Sequence, residues 1–135
     1  VNSVNTTQIN IEDNKVKLNS NFTGSPTTDA GILVERGNEA DVEILWNETS
    51  NNWTLTNNGT DYHAVARKFV TTLGTSATSY TVNHKLGTLE VTAQVFDVST
   101  GSLVEADVKL HDANNIKVDF AVAPSAGEFK VVVVG

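Results

Sequence analysis

The sequence predicts an all-β protein, with a polar N-terminal region of β-hairpins followed by an antiparallel β-sandwich. Helices are not indicated, because no segment repeats apolar residues with a 3.6-residue period over three turns. Short stretches of alternating apolar and polar residues, separated by turn residues, are instead typical of half-buried strands. Abundant Asn and Thr, which are weak helix formers, agree with this fold class.

The chain divides into two regions of different composition, with a predicted boundary after His63. Residues 1–63 are polar and interrupted by turn clusters, so we expect a shaft-like connector built of hairpins. Residues 64–135 are richer in valine and more regularly patterned, so we expect a compact head domain there. Because the chain lacks methionine and opens on Val1, we expect a fragment or a processed form.

Five strands are predicted in the connector, and the first two are expected to form a hairpin around Asp13-Asn14. Apolar residues alternate with polar ones on both sides of this pair, and Asp and Asn favour tight turns. A second hairpin is expected around residues 47–51. The predicted strands are 8–12, 15–19, 32–36, 42–46 and 52–56.

The connector carries too few large apolar side chains to fold as a monomer, because a small unit needs a dense core to offset chain entropy. Identical neighbouring chains can supply the missing cover through cyclic symmetry. Trp46 is predicted on a buried face, since it alternates with Val42 and Ile44. Arg36 is expected to pair with a neighbouring chain's carboxylate, and Gly37 to supply the turn. We therefore predict that identical chains assemble around an interface or core that contains Ile32, Val34, Arg36, Ile44, Trp46 and Trp53.

Six strands are predicted in the head domain, at 62–69, 78–82, 90–97, 103–110, 115–120 and 128–134. Their even spacing and short turns are typical of an antiparallel meander or a Greek key. The run 131–134 is apolar on both faces, so we expect a central or interface strand there rather than an exposed edge.

Composition argues against several classes of function. The formal net charge of −7 and the scattered basic residues disfavour nucleic-acid binding, which needs clustered Lys and Arg. Without cysteine the chain can form neither disulfides nor thiolate metal sites. No run of 18 apolar residues occurs, so we expect no membrane insertion.

Two stretches of the chain contain ordered series of short motifs. The first begins with Asp-Ala-Gly at 29–31 and reaches a Glu-Arg-Gly turn at 35–37. An apolar strand that ends in Trp follows at 42–46, with an Asn-Glu turn at 47–48 and Trp-Thr-Leu-Thr-Asn-Asn-Gly at 53–59. This series resembles a module of bacteriophage tail fibres.

The second stretch contains Tyr-Thr-Val-Asn-His-Lys-Leu-Gly at 80–87, Val-Phe-Asp at 95–97, Thr-Gly at 100–101 and Phe-Ala-Val-Ala-Pro at 120–124. It is similar to a C-terminal β-domain of phage fibres and other virion proteins. Together the two stretches cover most of the chain. The resemblance implies an intertwined homotrimer that serves as a structural protein of the virion tail, outside the cell, with other tail proteins as partners and no catalysis.

Two short polar turns of the predicted head domain are candidates for contact with a host-surface glycan or protein. They are rich in hydrogen-bonding groups, although short turns rarely build deep pockets. The candidate residues are Asp97, Ser99, Thr100, Asp112, Asn114 and Asn115.

We expect no catalytic, cofactor-binding or metal-binding residue. Glycoside cleavage needs two facing carboxylates, and nothing in the sequence pairs the acids of the head domain. His63, His84 and His111 could ligate a metal around a three-fold axis, but structural roles are favoured. Two alternative functions stay open. One is a carbohydrate-binding module or bacterial adhesin that uses exposed aromatic residues, and the other is the non-catalytic part of a polysaccharide-degrading tailspike.

Overall fold

The chain is all-β, as predicted, with antiparallel pairing throughout the part that our computed structural model describes, residues 7–135. It forms two compact units, Val1–Val65 (unit 1) and Ala66–Gly135 (unit 2). The predicted boundary after His63 falls inside a short strand of unit 1, His63–Ala64.

Unit 1 is a four-stranded meander in which each strand pairs with the next along the chain. Gly37 turns the chain between the first two strands with a φ of 67°. In the next connection, Asn47 Oδ1 accepts a hydrogen bond from the Ser50 backbone N–H at 2.8 Å. Such Asx turns favour hairpins over helices. The strands are β1 Ala30–Val34, β2 Val42–Asn47, β3 Asn52–Thr56 and β4 His63–Ala64.

The predicted hairpin around Asp13-Asn14 is wrong, because residues 7–29 contain no strand. The apolar residues on which that prediction depended all remain exposed. An isolated two-stranded hairpin is marginally stable in water unless another element covers one of its faces. Alternation alone was therefore insufficient. These misassigned residues are Ile9, Ile11, Val16 and Leu18.

Unit 2 is a β-sandwich of seven strands in two sheets. The strands are β5 Lys68–Thr72, β6 Ser79–Asn83, β7 Thr92–Asp97, β8 Leu103–Val104, β9 Asp107–Asp112, β10 Asn115–Asp119 and β11 Phe129–Val134. One sheet has the order β6-β10-β9, and the other has the order β5-β11-β7-β8. Because β11 lies between β5 and β7, the prediction of a central last strand is confirmed, and a simple meander is excluded for this unit.

The hydrophobic core of unit 2 lies between its two sheets. One sheet contributes β-branched side chains from β6 and β10, and the other contributes valines from β7 and β11. Burial of each such side chain contributes about 1.5–3 kcal/mol. The strand residues of this core are Val82, Val95, Ile116, Val118, Val131 and Val133.

Two of the predicted long strands are each broken into two. The stretch 62–69 becomes β4 and β5, which belong to different units. The stretch 103–110 becomes β8 and β9, because the chain passes from one sheet to the other at Glu105-Ala106. Apolar alternation continues through the second break, at Val104, Ala106 and Val108, so a period of two residues could not reveal it.

Gly31→Ala is expected to destabilise unit 1 by about 1–3 kcal/mol, the usual cost of overpacking. A Cβ at Gly31 would lie 2.8 Å from the Leu45 Cα, and rigid backbone cannot yield as a flexible side chain does. Thermal unfolding followed by circular dichroism measures the loss. Gly74→Ala is the control, because nothing lies within 4 Å of the added carbon. Equal melting temperatures for the two variants would contradict the predicted close approach.

Candidate functional site: an apolar sheet face

One face of the unit 1 sheet is built almost entirely from apolar side chains. The register places Ile44 opposite Ile32 on one side and Leu55 on the other, and it pairs Trp46 with Trp53. Directly paired residues of antiparallel strands project from the same face of a sheet. The two indole rings meet edge to face, with centroids 5.8 Å apart. We define the apolar face as Ile32, Val34, Val42, Ile44, Trp46, Trp53 and Leu55.

A single chain leaves most of the apolar face in contact with solvent. Ile32 is 61% exposed and Trp53 is 46% exposed, whereas Trp46 is half-buried. Within residues 7–65, the buried residues are Thr54 and Thr56, and no apolar side chain is buried. Burial is thus inverted relative to an ordinary domain, in which apolar residues are inside. A contiguous exposed apolar surface of this kind is typical of an interaction site.

An open groove of about 460 Å³ lies on the apolar face. Val65 borders it, held in place by a hydrogen bond of 2.8 Å from its backbone N–H to the Trp53 carbonyl oxygen. Sequence reasoning did not assign Val16, Leu18, Leu55 and Val65 to this surface, although Leu55 could have been found by its alternation with Trp53. The groove is lined by Val16, Leu18, Gly31, Ile32, Ile44, Trp53 and Val65.

Arg36 has partners within its own turn. Its Nη1 donates a hydrogen bond to the Ala40 carbonyl oxygen at 3.2 Å, and its backbone N–H donates one to Asp41 Oδ1 at 3.1 Å. These bonds fix the β1–β2 connection. An ion pair between Arg36 and a neighbouring chain stays a prediction.

The first candidate receptor turn, between β7 and β8, uses its polar groups internally. Asp97 Oδ1 accepts hydrogen bonds from the Ser99 backbone N–H at 2.8 Å, the Ser99 Oγ at 2.6 Å and the Thr100 backbone N–H at 2.8 Å. The hydroxyl of Ser99 is the main reason why the pKa of Asp97 is lowered. This network makes the turn rigid and leaves few free donors for a ligand.

The second candidate turn, between β9 and β10, is likewise stabilised from within. Asp112 Oδ1 accepts hydrogen bonds from the Asn114 backbone N–H at 2.8 Å and the Asn115 Nδ2 at 2.9 Å. Asn114 also binds the segment after β6, because its carbonyl oxygen accepts the His84 backbone N–H at 2.8 Å and its Oδ1 accepts the Gly87 backbone N–H at 3.1 Å. Asn114 is therefore a structural bridge, a role that sequence reasoning missed.

Three acids of unit 2, Glu105, Asp107 and Asp119, line one open groove. Lys109 Nζ lies 2.8 Å from an Asp107 oxygen and 3.0 Å from an Asp119 oxygen. A glycosidase acid needs a raised pKa, whereas that of Asp119 is lowered, chiefly by the Ser79 hydroxyl and then by Lys109. This arrangement is typical of a surface ion pair.

The three histidines lie in different environments. His63 and His111 are exposed, whereas His84 is buried and its Nδ1 accepts a hydrogen bond of 3.2 Å from the Leu86 backbone N–H. Its Nε2 makes no hydrogen bond. Residues 7–135 contain no group of three or more His, Cys, Asp or Glu side chains arranged to hold a metal ion.

Unit 2 is expected to lose stability as the pH falls below 3.8. The pKa values of Asp97, Asp112 and Asp119 lie below the ordinary 3.8, because hydrogen bonds from Ser99, Asn114 and Ser79, respectively, favour the ionised carboxylates. Lowered pKa values stabilise the folded state above 3.8, and this contribution is lost as the pH falls through the folded values. Urea unfolding between pH 6 and 3 measures it.

The matched control for this pH dependence is the triple variant D97N/D112N/D119N. Its unfolding midpoint should vary less with pH over the same range, because three of the groups that titrate differently in the folded and unfolded states are removed. An unchanged slope would show that other carboxylates cause the acid sensitivity.

The groove and the apolar face are therefore the features of unit 1 that are suited to binding a partner. In the two polar turns of unit 2, by contrast, the side-chain hydrogen bonds form within the chain. No helix in residues 7–135 is long and apolar enough to cross a membrane. Comparison of the chain with protein-family models, curated proteins and solved structures gives no match.

Proposed function

We propose that this chain is a structural part of a bacteriophage tail fibre, in which unit 1 joins three copies and unit 2 is the compact head. The single observation that carries the assembly role is the apolar face, which one chain leaves exposed while it buries two threonines instead. A cyclic trimer can bury three such faces at once without help from another protein. The sequence resemblance supports the assignment to a virion tail outside the cell.

The experiment that tests the assembly role is native mass spectrometry of the purified chain at micromolar concentration. We expect a trimer of the 14.5 kDa chain, with no other protein required. A folded monomer that persists on concentration would overturn the proposal, because its apolar face would then be stable in water.

Attachment to a host surface is the second part of this proposal. The turns at Asp97 and Asp112 are rigid and polar, which suits shallow contact with a glycan or protein better than enclosure of a ligand. Three copies would strengthen weak individual contacts. The trimer should then bind susceptible cells and compete with phage adsorption, without releasing sugar from their envelopes. A trimer that neither binds nor competes would leave unit 2 with a capping role, and sugar release would favour a tailspike.

One observation favours the alternative of a carbohydrate-binding module or adhesin. Trp53 and Tyr62 are both large, exposed aromatic residues in unit 1, and aromatic faces can stack on sugars. Tyr62, however, donates a hydrogen bond of 2.8 Å to Glu43, so its hydroxyl is already used. Binding of glycans by a monomer, lost in Trp53→Ala, would favour this alternative.

A further inference from the structure

The segment that precedes β1 carries apolar side chains that find little cover in their own chain. We define the arm as residues 8–22. It has the alternating pattern of strands but forms none. All of its large apolar residues are exposed, namely Ile9, Ile11, Val16, Leu18 and Phe22. The apolar side chains of the arm are therefore suited to packing against a surface that their own chain does not supply.

The apolar face is chemically matched to the arm. Val16 and Leu18 line the groove together with Ile32, Ile44 and Trp53, although both remain exposed there. Within one chain the arm therefore covers the apolar face only in part. Both the arm and the apolar face have further apolar surface that an assembly could bury. Burial of apolar area contributes about 25 cal/mol per Å², so tighter seating of the arm stabilises the complex.

The length of the intervening chain allows the arm to reach another copy. Eleven residues, 19–29, separate Leu18 from Ala30. Fully extended, they span about 36 Å, whereas stacked sheets lie only about 10 Å apart. Gly24, with a φ of 98°, provides a position at which the chain can turn.

We propose that in the assembled protein the arm of each copy lies on the apolar face of a neighbouring copy, with Val16 and Leu18 seated in that copy's groove. This inference rests on the proposed self-assembly and names the segment that covers the interface. Exchange of an identical element between protomers costs little, because the same contacts form between chains as within one. The neighbour's β1 is also an edge strand, so its outer backbone groups can pair with the arm.

The test uses the absence of cysteine from the chain, which makes every introduced thiol unique. One preparation carries Val16→Cys and a second, with a different affinity tag, carries Ile44→Cys. The two are refolded together and treated with a short bismaleimide. Because each chain has one thiol, a product that contains both tags forms only between chains. We expect this mixed product to predominate over products that carry a single tag.

Two controls separate arm exchange from assembly. Leu33→Cys replaces Ile44→Cys on the opposite face of the sheet, and we expect at least a tenfold lower yield of mixed product. Native mass spectrometry of the same mixtures reports the oligomeric state. Trimers without the Val16–Ile44 product would overturn arm exchange and leave the proposed assembly intact. Monomers that crosslink only within a chain, in the double variant V16C/I44C, would overturn both.

Discussion

Ile116→Ala is expected to lower the free energy of unfolding of unit 2 by about 2–5 kcal/mol. Ile116 is 0% exposed and lies in the central strand of the three-stranded sheet, where it faces the valines of the other sheet. Truncation removes buried apolar area and leaves a cavity that close-packed neighbours fill only in part. Amide hydrogen exchange in residues 66–135 measures the effect. Tryptophan fluorescence does not, because both tryptophans belong to unit 1.

Leu110→Ala is the matched control for Ile116→Ala. Leu110 is the cross-strand partner of Ile116 in β9, yet it is 56% exposed. Loss of a largely solvated side chain usually changes stability by less than about 0.5 kcal/mol. Equal losses of stability in the two variants would contradict the difference in burial between Ile116 and Leu110.

Much of unit 2 was predictable from the sequence, because β10 alternates apolar and charged residues and β11 ends in a run of valines. Ile116 and Val118 are buried, as the alternation with Lys117 indicates, and the run Val131–Val134 reads as a central strand because both of its faces are apolar. The division of these strands into two sheets was not predictable. A two-residue period identifies the face of a side chain but not the strand with which its backbone pairs.

In unit 1, the alternation of apolar and polar residues was a less reliable guide to strands and to burial. The arm alternates apolar and polar residues as a half-buried strand does, but it forms no strand in a single chain. The apolar face was predicted through Ile44, Trp46 and Trp53, whereas the burial of Thr54 and Thr56 on the other face was not. Hydroxyl hydrogen bonds, such as that of Thr56 Oγ1 to Asn58 Oδ1 at 3.0 Å, depend on loop geometry that composition does not reveal.

Ile32→Asp is expected to dissociate the assembly while it leaves the single chain folded. Ile32 is 61% exposed in one chain, so a carboxylate is well solvated there and costs the monomer little. In the assembly the same carboxylate would be buried without a partner, which is strongly unfavourable. We expect the apparent dissociation constant to rise at least about 100-fold, which corresponds to about 2.7 kcal/mol. Analytical ultracentrifugation over a dilution series measures it.

Leu33→Asp separates the effect of the apolar face from the effect of added charge. Leu33 is the next residue of β1, is 55% exposed and projects from the opposite face of the same sheet. The two variants therefore share their strand, their charge change and nearly the same solvent exposure, and they differ in the face that they modify. Leu33→Asp should assemble like the unmodified chain. If both variants dissociate equally, charge repulsion explains the loss. If neither dissociates, the apolar face lies outside the interface and the proposed assembly mode is wrong.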